Sequence, residues 1–412
     1  MRKIFSEKVT KNTGWLFISQ FITKLLSLLL IVYLGKNLST EDFGKFTLAN
    51  AIVSIFVILV DYGFNIYIVR EIAKAKEKAG VLLASILPFK LIMAFVTICG
   101  LYLTIKIMQY SYITSFVIIC MGVYYVLLSF SMFFRTVFMA NEMMEYESIF
   151  SIVDKFLIFI SVLLLLYNKI GIISIVLIHP IIEIFMLTTS MYLVIKKFPQ
   201  IKYTFSKELL KISIKESTPF FLSSILLMVY LYIDTVMLSK MQSEIAVGLY
   251  NASYNLVYNL RMLVSPLIIS LFPSMSLNAS LDKSNLNFVY KKCKKLLLIS
   301  GILITIICFL LSKQIILLLY GKKYIESIPA FSILIWEVPF IYLNGFYSYL
   351  LTSLNYQKSI LYYLIIASLV NIILNIIFIP RFSFLGASVT TVLSEILYFI
   401  LISRKLNKLG FI

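Results

Sequence analysis

The stretch Leu231–Ser276, LYIDTVMLSKMQSEIAVGLYNASYNLVYNLRMLVSPLIISLFPSMS, decides the fold. It reads as the end of one apolar helix, a short polar turn, and a second apolar helix that carries Arg261 and is interrupted near Pro266 and Pro273. Its opening has an echo one half-chain earlier. Shifted by 204 residues without a gap, VYLGKNLSTEDFGKF (Val32–Phe46) lies over VMLSKMQSEIAVGLY (Val236–Tyr250). Val32 meets Val236, Leu34 meets Leu238, Lys36 meets Lys240, Gly44 meets Gly248 and Phe46 meets Tyr250. A repeat of half the chain length in an apolar sequence predicts two similar helical bundles.

Composition fixes the class. Hydrophobic residues make up 61% of the 412 and charged ones 14%, against roughly 25% charged in a soluble domain. Apolar runs of the roughly 20 residues that one bilayer crossing needs recur along the whole length. The fold class expected is therefore an all-α polytopic membrane protein. A transmembrane barrel would show short alternating segments, and these runs are continuous. The net charge of +18 invites a nucleic-acid reading, but the basic residues sit in alternate loops and no RNA-binding or zinc-finger spacing accompanies them. Cys99, Cys120, Cys293 and Cys308 form no CxxC pair and read as small packing residues. With His179 the one histidine, a histidine metal cluster or hydrolase triad is excluded, and neither metal nor cofactor is expected.

Twelve spanning helices are predicted. Six precede a basic linker: Trp15–Leu34, Phe46–Val69, Val81–Ile105, Tyr112–Met139, Ser148–Tyr167 and Ile172–Ile195. Six follow it: Pro219–Leu238, Gly248–Phe272, Lys295–Leu311, Ile328–Ser353, Ile360–Ile379 and Leu385–Ser403. The first apolar run lacks a small-residue cleavage site and reads as a spanning helix, not a removed signal. The domain division expected is an N-terminal six-helix lobe over 1–200, a basic cytoplasmic linker over 201–215 and a C-terminal six-helix lobe over 216–412. An even number of spans puts both termini on one side. That side collects 23 Lys and Arg against nine on the other, so it is expected to be cytoplasmic.

Charges inside the apolar runs are the candidate functional residues. A cation at mid-bilayer costs about 2.5–3.5 kcal/mol even on the most lenient scale. Lys24 is the tenth residue of a twenty-residue run, from which its stem barely reaches an interface. The plain reading is an ion pair; the functional one is a cation that receives an anionic substrate. Arg261 lies in a polar helix whose Asn251, Asn255 and Asn259 recur every four residues and share one face, a face expected to line a wet cavity. Its planar fork suits phosphate. Lys90, next to Pro88, ranks below these two; Arg70, Arg135 and Lys155 lie towards helix ends, where they can snorkel. Asp61, Glu183, Asp234, Glu337 and Glu395 also fall within apolar runs. They either pair with the buried cations or bind H⁺ or Na⁺ for coupling. His179, beside Pro180, reads as a structural histidine. Tyr250, Tyr254 and Tyr258, again four apart, are packing residues or the wall of a sugar-binding cavity.

Three stretches, in order and at the right spacing, resemble the polysaccharide-transporter family of the multidrug/oligosaccharidyl-lipid/polysaccharide exporter superfamily, which includes the Wzx-type O-antigen flippases. They are YLGKNLSTEDFGKFTLANAI with DYGFNIYIVREIAK, then YIDTVMLSKMQSEIAVGLYNASYNL through LFPSMS, and LNIIFIPRFSFLGASVTTVLSE. The resemblance implies a MATE-like fold of two six-helix lobes working by alternating access. It implies that the chain moves a polyprenyl-diphosphate-linked oligosaccharide across the cytoplasmic membrane, beside the polymerase and glycosyltransferases of the same biosynthesis. In the related lipid II flippase, basic residues on helices 1, 2 and 8 meet the diphosphate. Lys24 and Arg261 fall on helices 1 and 8, whereas helix 2 has only Arg70 at its end, so Lys90 is the substitute considered. The chain lacks that flippase's two extra C-terminal helices. The rivals are a MATE-type drug or metabolite antiporter, which would show acids in place of cations in its cavity, and a membrane glycosyltransferase or ligase. The short basic loops disfavour the latter.

Overall fold

A computed structural model describes residues 7–199, 203–281 and 283–411, all helix and turn with no strand among them. With no water in a bilayer core to satisfy backbone groups, a chain this apolar folds as helices that pair every group internally. The first seven are α1 (Glu7–Asn37), α2 (Thr40–Asp61), α3 (Phe64–Lys74), α4 (Ala79–Met108), α5 (Tyr112–Ala140), α6 (Met144–Tyr167) and α7 (Ile172–Lys197). The rest are α8 (Lys207–Met241), α9 (Glu244–Asn259), α10 (Ser265–Leu281), α11 (Lys283–Leu310), α12 (Ser312–Leu319), α13 (Ser327–Leu334), α14 (Val338–Ser353) and α15 (Gln357–Lys408). Eleven stretches of the described residues are long and apolar enough to cross a membrane. The last, α15, has 52 residues, about 78 Å if straight, more than twice a hydrocarbon core. It turns instead at Ser383 (φ 52°, ψ −136°), which yields two arms and the expected helices 11 and 12. This is a multi-pass all-α membrane protein.

Three expected helices are broken. The second divides at Tyr62 and Gly63, with φ of 49° and 75°. No proline causes this. A Cβ on Gly63 would stand 2.6 Å from Phe220 Cβ, so the glycine serves both the left-handed turn and a close approach to α8. The eighth divides into α9, a 3₁₀ turn at Leu260–Leu263 and α10, where Pro266 at the new helix start lacks the N–H that would continue the old one. The tenth tightens to a 3₁₀ turn at Ile335–Glu337 just before Pro339, at the start of α14. A short helix, α12, also occupies what reads in sequence as a loop.

The repeat seen in the sequence has a structural counterpart. Ser39 accepts from the Asp42 amide at 3.0 Å and Ser243 from the Ala246 amide at 3.2 Å, so both copies cap a helix start with the same serine. The copies also interlock. A Cβ on Gly44 would lie 1.8 Å from the Glu244 carbonyl oxygen, and one on Gly248 2.2 Å from that of Thr40. Thr40 and Glu244 are themselves related by the shift that relates the two glycines, which makes the contact reciprocal.

Two compact units are distinguished: Met1–Leu30 with Leu48–Met228, and Ile31–Thr47 with Val229–Ile412. The division expected from composition, at 200/201, falls on residues outside the described set, as do residues 1–6 and 412 of the expected lobes. In the first unit α5 packs along α7 and against α3, α4 and α6. In the second, α14 packs against α10, α11 and α15, and α13 against α9 and α15.

Candidate functional site

Four of the intramembrane charges expected from sequence meet in the second unit. Asp234, Arg261, Glu337 and Glu395 line one pocket with Tyr230, Tyr254, Asn371, Thr391 and Ser394. Breaks in the helices of this unit deliver two of them, while Asp234 comes from α8. The 3₁₀ turn after α9 presents Arg261, the one before α14 presents Glu337, and the two arms of α15 supply Asn371 and Glu395. The cavity itself is only about 10 Å³, close to the least that holds one water molecule. The pocket has room for a water molecule or a bare ion and none for a glycan.

Its two ends are held differently. At one end Arg261 Nη2 lies 3.2 Å from Glu395 Oε1, while Asn344 Nδ2 donates to Glu395 Oε2 at 2.7 Å and to the Glu395 carbonyl at 3.1 Å. The guanidinium also sits 4.9 Å over the Tyr258 ring, at the end of a stack running through Tyr254 to Tyr250 with centroids 5.9 and 5.4 Å apart. That cation–π contact and the ion pair orient the fork, yet its Nε stays buried without an acceptor. At the other end Asp234, 3% exposed, accepts from Asn375 Nδ2 at 2.5 Å, Thr391 Oγ1 at 2.7 Å and Tyr250 Oη at 3.1 Å. Among the described residues only neutral donors hold it. The Asn371 side-chain oxygen accepts from Asn375 at 3.0 Å, and the Ala387 carbonyl lies 2.8 Å from Thr391 Oγ1. An amide nitrogen and two hydroxyls thus hold a carboxylate that has no ion-pair partner among the described residues. Glu337 is 2% exposed and has neither a hydrogen bond nor an ion pair among the described residues. Three carboxylates thus face one guanidinium.

The remaining expected residues lie elsewhere. Asn251, Asn255 and Asn259 do share a face, but each amide donates to a carbonyl one turn earlier, Val247, Asn251 and Asn255, at 3.0, 2.9 and 2.7 Å. None of them lines this pocket. Lys24, on α1 in the first unit, is exposed and has no hydrogen-bond or ion-pair partner among the described residues. Lys90 is its opposite. The side chain is fully buried, its ammonium donates to the Val60 carbonyl at 3.0 Å and Ser129 Oγ at 2.9 Å, and the Phe130 and Phe133 rings lie 5.5 and 5.3 Å away. Val60 is where α2 is about to break, so the amine satisfies a carbonyl near the freed helix end. Asp61, next along, keeps a buried Oδ1 without a donor. Glu183, on α7 in the first unit, is fully buried. Sequence reading passes over Asn344, Asn371, Asn375, Thr391 and Ser394. Their signal is spacing: Asn371 and Asn375 stand four apart in an apolar helix, and Ser394 and Glu395 follow Thr391 by three and four.

The profile of the polysaccharide biosynthesis protein family matches residues 9–278, and that of the MatE family matches 219–377. The chain is similar to the "Putative O-antigen transporter" of Escherichia coli strain K12, 24% identical over 94% of both chains. An uncharacterised membrane protein of Methanocaldococcus jannaschii is also 24% identical, over 98% of this chain and 85% of that one. Among solved structures, the inward closed conformation of the lipid II flippase MurJ superposes with a TM-score of 0.76 at 18% identity, over 95% of this chain and 87% of that one. The fold is thus shared with that structure, and the family profile spans nearly two thirds of the sequence, including the duplicated motif and Arg261: the chain belongs to the polysaccharide biosynthesis protein family.

Proposed function

We propose that the chain is a flippase that carries a polyprenyl-diphosphate-linked oligosaccharide across the cell membrane, with both termini on the cytoplasmic side. The family match over residues 9–278 carries this reading, and the E. coli relative named for O-antigen transport supports it. Lys24 and Arg261 are the diphosphate contacts. Lys24 is an exposed cation with no partner to compete for it among the described residues, and Arg261 offers a fork plus a spare Nε donor. A diphosphate oxygen would replace Glu395 on that fork, one charge-assisted bond exchanged for another. Lys90 serves the fold of the first unit, since two of its three donors are engaged and two aromatic rings enclose it. The glycan needs a larger wet volume than this pocket, and the lipid tail stays in the bilayer. Glycosyltransferases that build the substrate and a polymerase that consumes the product are the partners that fit.

The carboxylates support a second element. We infer that Asp234 binds the coupling cation, with the Asn371 side-chain oxygen and the Thr391 hydroxyl supplying neutral oxygens of the kind a hard cation takes. A small cation there offsets the excess of acid over Arg261. The same excess, with the MatE match, favours a drug-cation antiporter as the second reading.

Lipid-linked oligosaccharide orientation separates the two, measured in sealed vesicles from a strain lacking the gene. Restored wild type should place glycan in the outer leaflet, and Lys24→Ala/Arg261→Ala inserted at equal level should not. Wild type that moves no glycan but exports a cationic dye would overturn the flippase reading.

A further inference from the structure

A second cluster of ionisable groups lies inside the first unit and takes no part in the site above. Three helices build it. Arg135, Ser131 and Tyr124 come from α5, Glu147, Ser148, Asp154 and Lys155 from α6, and His179 and Glu183 from α7. Arg135, Asp154, His179 and Glu183 are 3%, 4%, 3% and 0% exposed. Two ion pairs account for two of the three acids: Arg135 Nε lies 3.5 Å from Glu147 Oε2, and Lys155 Nζ 3.4 Å from Asp154 Oδ2. Glu183 is left over. Both its oxygens are buried with no hydrogen-bond partner, and Asp154 Oδ1, Arg135 Nε and Ser148 Oγ also lack one. The charged groups facing Glu183 are Asp154 from α6 and Arg135 from α5, with the Ser131 hydroxyl beside them. Lys155 and Asp154 also face His179, whose Nδ1 lies 2.8 Å from the Ile175 carbonyl.

Charge decides what this cluster can take. Glu147, Asp154 and Glu183 against Arg135 and Lys155 leave one negative charge if all are ionised. An isolated buried carboxylate is too costly to keep; it is neutralised or paired. A metal cation would have to enter beside two cations already in place, and no group of His, Cys, Asp and Glu suited to a metal is present among the described residues. A proton has neither difficulty. We propose that Glu183 is a proton-binding site, with Asp154 as the carboxylate that shares and relays its proton. Hydronium gives a proton to a Glu183 oxygen and leaves as water, an O–H bond forms, and the cluster becomes neutral; loss of the proton to water reverses each step. Lys155, whose side chain is 30% exposed and whose amine also donates to Tyr124 Oη at 2.9 Å, connects Asp154 to the outside. This site stands apart from the cation site proposed at Asp234, and only its use in transport rests on the flippase reading.

The test is infrared spectroscopy of the purified full chain at neutral pH, with Glu183→Gln and Asp154→Asn as variants. Wild type should show a protonated-carboxyl band that Glu183→Gln removes and Asp154→Asn keeps. Gln is the isostere of the protonated acid, so the melting midpoint of Glu183→Gln should equal that of wild type. An undiminished band in Glu183→Gln overturns the proposal. So does a variant that melts far lower or fails to fold, because the ionised carboxylate was then a structural partner. Glycan flipping under an imposed pH difference adds the role: wild type responds to it and Glu183→Gln does not. If no glycan moves at all, the flippase reading fails while the infrared result still decides the site.

Discussion

The reciprocal glycine contact makes a prediction that a double-mutant cycle decides. Gly44 and Gly248 each occupy the fifth position of a helix, α2 and α9, where alanine is intrinsically better by about 1 kcal/mol. The contact forbids it. An alanine Cβ at 44 would stand 1.8 Å from the Glu244 oxygen and one at 248 would stand 2.2 Å from the Thr40 oxygen, whereas ordinary van der Waals contact begins at 3.4 Å. Both obstacles are helix backbone, so the two helices must part. Overpacking of this kind costs about 1–3 kcal/mol, and the deeper overlap, at 44, belongs near the top of that range. Net of the propensity gain, Gly44→Ala should cost about 2 kcal/mol and Gly248→Ala about 1–2 kcal/mol. The parting that relieves the deeper overlap also relieves the shallower one, so the second alanine adds no further strain. The double variant should be no less stable than Gly44→Ala alone, a coupling of at least about 1 kcal/mol for residues sharing one contact. Unfolding in mixed micelles with a rising fraction of SDS reads these free energies. Additive losses would show that the two glycines answer to separate constraints, and the reciprocal packing would be refuted.

Other outcomes follow from the same geometry. Lys90→Met leaves the Val60 carbonyl and Ser129 without their donor, at about 1–3 kcal/mol, so its thermal midpoint should fall. Lys24→Ala, which breaks no hydrogen bond or ion pair among the described residues, should melt like wild type yet lose glycan transport per inserted molecule. If cation binding is at Asp234, transport stimulated by sodium should lose that stimulation in Asp234→Asn and keep it in Glu183→Gln, measured as flipping rate against sodium concentration. Outside the membrane, Lys323 donates to the Leu38 carbonyl and, at 2.9 Å, to that of Lys36, and burial holds its amine below the usual 10.5. Between that lowered value and 10.5 the unfolded chain binds more protons than the folded one, so stability rises with pH across this alkaline window. Lys323→Met should flatten that slope in melts recorded from neutral to alkaline pH.

Much of the fold is legible in the residues because a bilayer leaves few options. Long apolar runs must be helices, and Ser39 and Ser243 mark the same turn twice. The breaks are harder to read. Pro266 and Pro339 announce two of them, but the break at Tyr62 and Gly63 depends on how closely Phe220 approaches, which no local pattern contains. The site divides along the same line. Asp234, Arg261, Glu337 and Glu395 stand out singly as charges in apolar runs, while their meeting depends on how α8, α15 and the 3₁₀ turns after α9 and before α14 turn towards one pocket. Lys24 and Lys90 look alike in sequence, each a lone cation deep in a helix. One is exposed and unpartnered among the described residues, the other fully enclosed by Val60, Ser129 and two phenylalanines. Spacing alone could not separate them. Asn251, Asn255 and Asn259 share a face, as their spacing requires, but each donates back to its own helix, Asn251 also to Thr235 of α8, which spacing does not reveal.

The interlocked glycines also bear on how two copies of one motif grow apart after a duplication. Most positions of a duplicated segment are free to drift, and here Glu41 and Asp42 stand opposite Ile245 and Ala246. Gly44 and Gly248 are not free in this sense. Each is closed off by the backbone of the other copy, so the first side chain gained by either one is a defect in both. Selection then sees the pair as a single heritable unit, and only a compensating change in the opposite copy could release it.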